Sequence, residues 1–192
     1  MPLRDVTKSN SLHDVIDVSE DQVGYIKGRS VSTLLRLIDD VSDHLNEQNK
    51  PGLLVTVDYT QAFDSISKDF MLCAFEKFGF GPDFLQWVRI LMSDAESCIQ
   101  YCGWMSEFFK AESGIRQGCP FSPLAFILAV EILAIKIKDV KDIKGIRTHV
   151  DEFVKITLYA DDITLFLSDE NEMHIALDII SQFSVFFRVI HE

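Results

Sequence analysis

FVKITLYADDITLFL, residues 153–167, consists of two runs of β-branched and apolar residues joined at Ala160-Asp161-Asp162. Phe153 to Tyr159 and Ile163 to Leu167 suit strands, and the short link between them predicts a tight hairpin with acids at its tip. A similar run upstream, Leu53 to Val57, follows the turn signal Pro51-Gly52 and ends at Asp58. Its length and β-branched content suit a buried strand better than a helix. In an antiparallel sheet such strand ends can be neighbours, which makes Asp58, Asp161 and Asp162 candidates for one site.

Working outward, the first twenty or so residues show no sustained periodicity and lead into a loop at Gly24 and Gly28. Leu34, Leu35, Leu37, Ile38, Val41 and Leu45 follow helical spacing, with Ser30 or Ser32 as cap and Pro51-Gly52 as stop. Ser67 to Phe78 predicts a second helix, and Gly81-Pro82 opens a third to Met92, with Pro at a position where its missing N–H does no harm. Ser97 to Tyr101 and Met105 to Ala111 flank Cys102-Gly103-Trp104 as a hairpin. After the loop GIRQGCPFSP, Ser122 caps and Pro123 begins a nearly all-apolar helix to about Lys138, and a last helix runs from about Glu170 to Phe187. The order predicts an α+β fold, an antiparallel sheet with helices packed on one face. There is no internal repeat and no low-complexity segment.

Composition narrows the function classes. The chain has 192 residues, 47% of them hydrophobic, enough for a proper core in one domain. Its longest apolar stretch, Leu124 to Ile135, is interrupted by Glu131 and falls short of the roughly 20 residues a membrane span needs. The N-terminus lacks a secretory pattern, which points to an intracellular, reducing setting, nuclear or cytoplasmic. Cys73, Cys98, Cys102 and Cys119 are irregularly spaced, without a CxxC pair, and read as reduced thiols in or near the core. The net charge of −12 has the wrong sign for a self-sufficient nucleic-acid binder that works by neutralising phosphates.

Three gathered carboxylates would repel one another and raise at least one pKa unless a cation neutralised them, and oxygen ligands of this kind suit Mg²⁺. Two such ions roughly 3.5 to 4 Å apart can activate a hydroxyl and stabilise a leaving oxygen, the logic of phosphoryl transfer by polymerases. Taken singly, each acid also reads as a turn residue, a cap or a solvated hairpin tip. Other motifs in the same chain tip the balance.

VDYTQAFDS (residues 57–65), GIRQGCPFSPLAF (114–126) and LYADDITLF (158–166) resemble, in order, the three palm motifs of reverse transcriptases, and SEDQVGYIKGRS (19–30) resembles the stretch that precedes them. RQGCPFSP, together with the Phe of AFD, resembles non-LTR retrotransposon enzymes more than group II intron maturases or retroviral enzymes. The resemblance implies a polymerase palm performing RNA-templated DNA synthesis on RNA template, DNA primer and dNTP. It makes Asp58 and Asp161 the main ligands of two Mg²⁺ ions, replaceable by Mn²⁺, with Asp162 in support. The Tyr59 carbonyl would complete one metal shell, and Tyr159 would lie near the primer terminus. Phe63 falls where a ring blocks the 2′-hydroxyl of the incoming nucleotide, implying dNTP preference; on its own it reads as a core aromatic. Arg116, Gln117 and Gly118 correspond to nucleotide and template contacts, Pro123 starts the helix behind the site, and Lys27 and Arg29 would lie near template.

Relative to that family, fingers are expected to be mostly missing and the thumb absent, leaving residues 1–30 as a fingers remnant and 31–192 as palm. That would explain the charge, since fingers and thumb bring the Lys and Arg that meet phosphates. It also leaves Phe186, Phe187, Val189 and Ile190 as an apolar end suited to self-association or to the missing segments. Two rivals share the sequence: a catalytically silent transposon-derived remnant acting as a binding module, and another palm-type metal enzyme such as a nucleotide cyclase, against which RQGCPFSP argues.

Overall fold

The computed structural model describes residues 18–58, 62–93, 95–111, 114, 115 and 118–187. The elements are α1 (Val31–Gln48), β1 (Leu53–Asp58), α2 (Ala62–Ser65), α3 (Lys68–Lys77), α4 (Pro82–Met92), β2 (Glu96–Ser97), β3 (Gln100–Tyr101), β4 (Trp104–Met105), β5 (Phe109–Lys110), α5 (Ser122–Asp139), β6 (Ile146–Arg147), β7 (Phe153–Val154), β8 (Ile156–Tyr159), β9 (Asp162–Leu167) and α6 (Glu170–Phe187).

The predicted YADD hairpin forms as β8 and β9, and β1 lies antiparallel on the other side of β9, giving the order β1-β9-β8. One boundary differs from the sequence reading. Phe153 and Val154 leave the sheet to pair with β6, so the strand starts at Ile156. Lys155 interrupts it, its Nζ donating to the carbonyls of Lys138 and Val140 at 2.7 and 2.9 Å. The 97–111 hairpin likewise divides into two short ladders, β2 with β5 and β3 with β4, turning at Cys102-Gly103.

Strand alternation separates two faces. Leu53, Val55, Val57, Ile156, Leu158, Ile163, Leu165 and Leu167 join the main core with α3, α5 and α6. α5 is buried almost all round, as its near-continuous apolar sequence requires. On the opposite face, Phe166 meets Val41 and Ile146, with Leu37, Ile38 and Leu45 packed on them, so α1 covers the far end of the sheet. The helical packing over the core face follows the expected architecture, and α1 adds a cover on the other side.

Helix ends explain the limits of the elements. Ser30 caps α1 by accepting from the Ser32 amide, and Asn49, in the left-handed conformation, closes it before Pro51 is reached. Ser67 caps α3 through the Phe70 amide. Ser122 is not the cap of α5: the cap position is Phe121, without a side-chain bond, and Ser122 is buried inside the first turn. At α6, Asp169 accepts from the Glu172 amide at 3.0 Å. The buried Glu172 carboxylate reaches back to Ser168 and across to the amides of Lys144 and Gly145.

Cys73, Cys98, Cys102 and Cys119 are free thiols. Their placement corrects the sequence reading, because Cys73 and Cys102 are exposed and Cys98 and Cys119 are only half-buried. Exposed positions on α3 and at a hairpin tip leave these thiols outside the core. No helix of the described residues is long and apolar enough to cross a membrane.

Candidate active site

Register builds the site. Asp58 is directly opposite Asp162, and Asp162 is directly opposite Tyr159. Directly paired residues project from the same face with Cβ atoms roughly 4.5–5.5 Å apart. Asp58, Asp162 and Tyr159 therefore share the face away from the main core. The residues two places along each strand, Thr56, Thr164 and Thr157, continue that face toward Phe166 and the cover of α1. It is a polar floor, acidic at one end and closed by apolar packing at the other.

Asp161 sits in the two-residue turn between Tyr159 and Asp162. The Asp162 carboxyl is held above its ordinary value by burial, then by Asp161 and by Asp58. The sign matters, since a carboxyl with a raised folded pKa opposes folding when charged and ceases to do so once protonated. Acid-only donors with mutual repulsion are the kind that a hard divalent cation neutralises.

Gln22, absent from the sequence-based candidates, holds the turn. The segment around it runs alongside β8, with the Leu158 amide donating to the Asp21 carbonyl and the Val23 amide to the Leu158 carbonyl, each at 2.8 Å. The fully buried Gln22 side chain accepts through Oε1 from the amides of Gly24 at 2.8 Å and Ala160 at 3.1 Å. Ala160 has φ 57°, a conformation that costs a non-glycine residue roughly 1–2 kcal/mol. Gly24 must be glycine, because a Cβ there would lie 2.3 Å from the Ala160 nitrogen. The signal in the sequence was Gln22 beside Val23-Gly24, but only the folded register shows what the amide reaches.

Arg29 is turned inward rather than toward solvent: its guanidinium donates to the carbonyls of Val18, Ser19 and Gln22. It clamps the segment that carries Gln22. Lys27 is exposed on a turn. Ser19 is tied to α5 through its amide, which donates to Glu131 Oε1 at 3.1 Å. Burial raises the Glu131 pKa despite bonds from Ser19. Lys138 on α5 pairs with Asp21.

Phe63 is half-buried, its ring stacked on Phe126 of α5 with centroids 4.7 Å apart. Its carbonyl accepts from the Ile115 amide at 2.8 Å, and the Ile66 carbonyl from the Gly114 amide at 3.0 Å, which ties the GIRQG loop to α2. Gly118 has φ +80° with open space where a Cβ would stand. Pro123 is in the first turn of α5, behind that loop. Tyr59, Arg116 and Gln117 lie outside the described residues, as do Val189, Ile190 and the side chains of Phe186 and Phe187. Exposed apolar surface is instead seen on the β3–β4 hairpin, where Tyr101 is 76% and Trp104 82% exposed.

Residues 3–189 match the family described as reverse transcriptase (RNA-dependent DNA polymerase). The chain belongs to this family. It is 25% identical over 154 residues to the transposon TX1 uncharacterized 149 kDa protein of Xenopus laevis, a match covering 79% of the chain and 12% of that protein. The Pol polyprotein of the type-2 retrotransposable element R2DM of Drosophila melanogaster is 23% identical over 167 residues, covering 87% and 15%. That of the type-1 element R2 of Popillia japonica is 26% identical over 165 residues, covering 84% and 22%. These relatives identify a reverse transcriptase domain of the non-LTR, LINE type, and the chain spans between about an eighth and about a fifth of their lengths.

Among solved structures, telomerase from Candida albicans in complex with a TWJ fragment of telomeric RNA is similar, with a TM-score of 0.62 at 14% identity over 88% of this chain and 30% of that one. Apo telomerase from Candida tropicalis truncated from the C-terminal domain gives 0.58 at 13%, over 86% and 34%. At such identities the likeness is of fold, and the fold of this reverse transcriptase domain is the polymerase palm.

Proposed function

We propose that this chain acts as the palm of an RNA-templated DNA polymerase that joins a dNTP to a primer 3′-hydroxyl. The observation that carries the reading is the register pairing of Asp58 with Asp162, with Asp161 in the adjoining turn. Asp58, Asp161 and Asp162 would hold two Mg²⁺ ions, or Mn²⁺ in their place. When bound, the ions would lower the pKa of the attacking hydroxyl and neutralise charge on the transferring phosphate.

The chain's own residues supply the rest. Tyr159, 41% exposed beside Asp162, offers a ring against the primer end. Phe63, half-buried and braced on Phe126, would exclude a nucleotide 2′-hydroxyl. The strand register fixes the carboxylates relative to one another before substrate arrives, and such positioning accounts for much of the rate in reactions of this class. Gly118 leaves backbone accessible to a nucleotide or template, with Gln117 and Arg116 beside it in sequence. Lys27 and Arg29 would lie near template, Arg29 through the backbone that it orders. The segment N-terminal to α1 supports the palm formed by residues 31–192.

The test is primer extension by the purified chain on an RNA template with dNTPs in Mg²⁺ and then Mn²⁺, beside Asp161→Asn. Template-dependent extension that disappears in the variant is expected. No extension from a folded, monodisperse sample would reject independent polymerase activity and favour the silent binding module.

A further inference from the structure

A second cluster of ligand-type side chains lies at the end of the sheet away from the acids. His44 and Glu47 are three residues apart on α1, on adjacent turns of one helical face. His149 comes from the turn joining β6 and β7. The Nδ1 atoms of His44 and His149 are 3.1 Å apart, and the rings meet edge to face. Glu47 Oε2 is 4.0 Å from His149 Nε2. One ligand atom from each of the three residues lies within 4.8 Å of the other two.

Both sides of this cluster are held by structure rather than by the histidines. α1 is fixed by Val41 and Leu45 packing on Ile146 and Phe166. The 148–152 turn is closed by the Thr148 amide and hydroxyl on the Glu152 carbonyl at 2.8 and 3.2 Å. The Asp151 amide donates to the Thr148 carbonyl, and Arg147 pairs with Asp151. His149 is thus presented to His44 by a braced turn.

We propose that His44, His149 and Glu47 form a site for a zinc-type divalent cation that staples α1 to the β6–β7 turn. Zinc bonds to imidazole nitrogen at about 2.0–2.1 Å, which at a tetrahedral angle separates two such nitrogens by about 3.3 Å. The observed 3.1 Å is within a few tenths of an ångström of that value. Without a cation, one proton must be shared between the facing nitrogens; with one, both lone pairs are used. Two imidazoles and a carboxylate are borderline donors that favour zinc over magnesium. Gln48 supplies the outer support that metal-bound histidines usually have, its side-chain amide 2.7 Å from His44 Nε2. Rotating that amide presents Oε1 to the Nε2 proton. The site is distinct from the all-carboxylate cluster and does not depend on polymerase activity.

The experiment is a titration of the purified, metal-free chain with Zn²⁺ against a chromophoric chelator, with Co²⁺ as spectroscopic substitute and melting temperature as a second readout. One equivalent should bind, Co²⁺ should give the visible bands of a low-symmetry four-coordinate site, and Tm should rise by about 5–10 °C at hundredfold excess over Kd. His44→Ala and His149→Ala should each weaken binding at least tenfold and remove the Tm rise, while Glu47→Gln weakens it less. Asp161→Asn should leave the zinc titration unchanged. Far-UV circular dichroism compares each variant's fold, and His149→Gln provides a second His149 substitution with a neutral polar side chain. The proposal is overturned by no uptake at sub-millimolar Zn²⁺, or by uptake that survives both histidine substitutions, which would assign the metal to the thiols.

Discussion

Gln22→Met should damage the active-site turn from a distance while preserving side-chain volume. In the native protein Gln22 Oε1 accepts two buried amide protons, from Gly24 and Ala160. Methionine fills the space but accepts neither, and each buried donor left unpaired costs about 1–3 kcal/mol. Part of this is recovered, because Gln22 Nε2 is buried without a hydrogen-bond partner among the described residues, and its removal relieves that penalty. The net loss expected is about 1–4 kcal/mol. Urea denaturation gives the stability change, and amide hydrogen exchange at Ala160 and Gly24 gives the local one. Both amides should exchange faster by more than the global loss alone accounts for. If RNA-templated extension is present, kcat should fall more than KM changes, because the carboxylates lose their relative placement while the nucleotide surface remains. A stability change under about 0.5 kcal/mol with unchanged protection at Ala160 would refute the claim that Gln22 sets the turn.

Asp162→Asn removes a charge from a crowded set, so in metal-free buffer its Tm should equal or exceed that of the native chain, and the Tm rise produced by Mg²⁺ should shrink; a lower metal-free Tm would contradict the repulsion read from the site. Glu172→Gln should cost about 2–4 kcal/mol at pH 7 by urea denaturation, because an amide offers one acceptor oxygen where the carboxylate serves Ser168, Lys144 and Gly145 with two. Burial raises the Glu172 pKa, but hydrogen bonds from Ser168, Lys144 and Gly145 outweigh it and the net shift is down from 4.5. Its contribution is therefore full above 4.5 and lost as pH falls through the lower folded value, so native and variant stabilities should converge in acid. A constant gap down to pH values below that window would contradict the assignment.

Local sequence carried most of the scaffold because its signals were of short range. Ser30, Ser67 and Pro82 marked helix starts that the folded chain uses, and Pro123 lies in the first turn of α5. The alternation around Ala160-Asp161 specified a hairpin with acids at its tip. What escaped was of long range. Lys155 reaches carbonyls at the end of α5, which no window around residue 155 contains. Gln22 and Ala160 are 138 residues apart, and only pairing beside β8 brings them together. Nothing in the sequence signalled that the Arg29 guanidinium also donates to the backbone carbonyls of Val18, Ser19 and Gln22, up to 11 residues away. Glu131 interrupted the apolar run as a charge should, but its partner, the Ser19 amide, lies 112 residues away.

These long-range contacts share a purpose: they keep negative groups together without using those groups to do it. Asp58 and Asp162 are placed by strand pairing, Asp161 by a turn whose first residue is bound by Gln22, and Gln22 by backbone that Arg29 and Glu131 fasten to the rest of the protein. Had the carboxylates been oriented by side-chain partners of opposite charge, those partners would compete with any cation and would have to be displaced. Among the described residues no basic side chain pairs with these acids, and burial, then Asp161 and Asp58, raise the Asp162 pKa. The energetic cost falls on the folded palm and is released by whatever neutralises the acids. A site organised in this way should respond to divalent ions through charge compensation rather than rearrangement, with little change in the Ala160 amide environment when they bind.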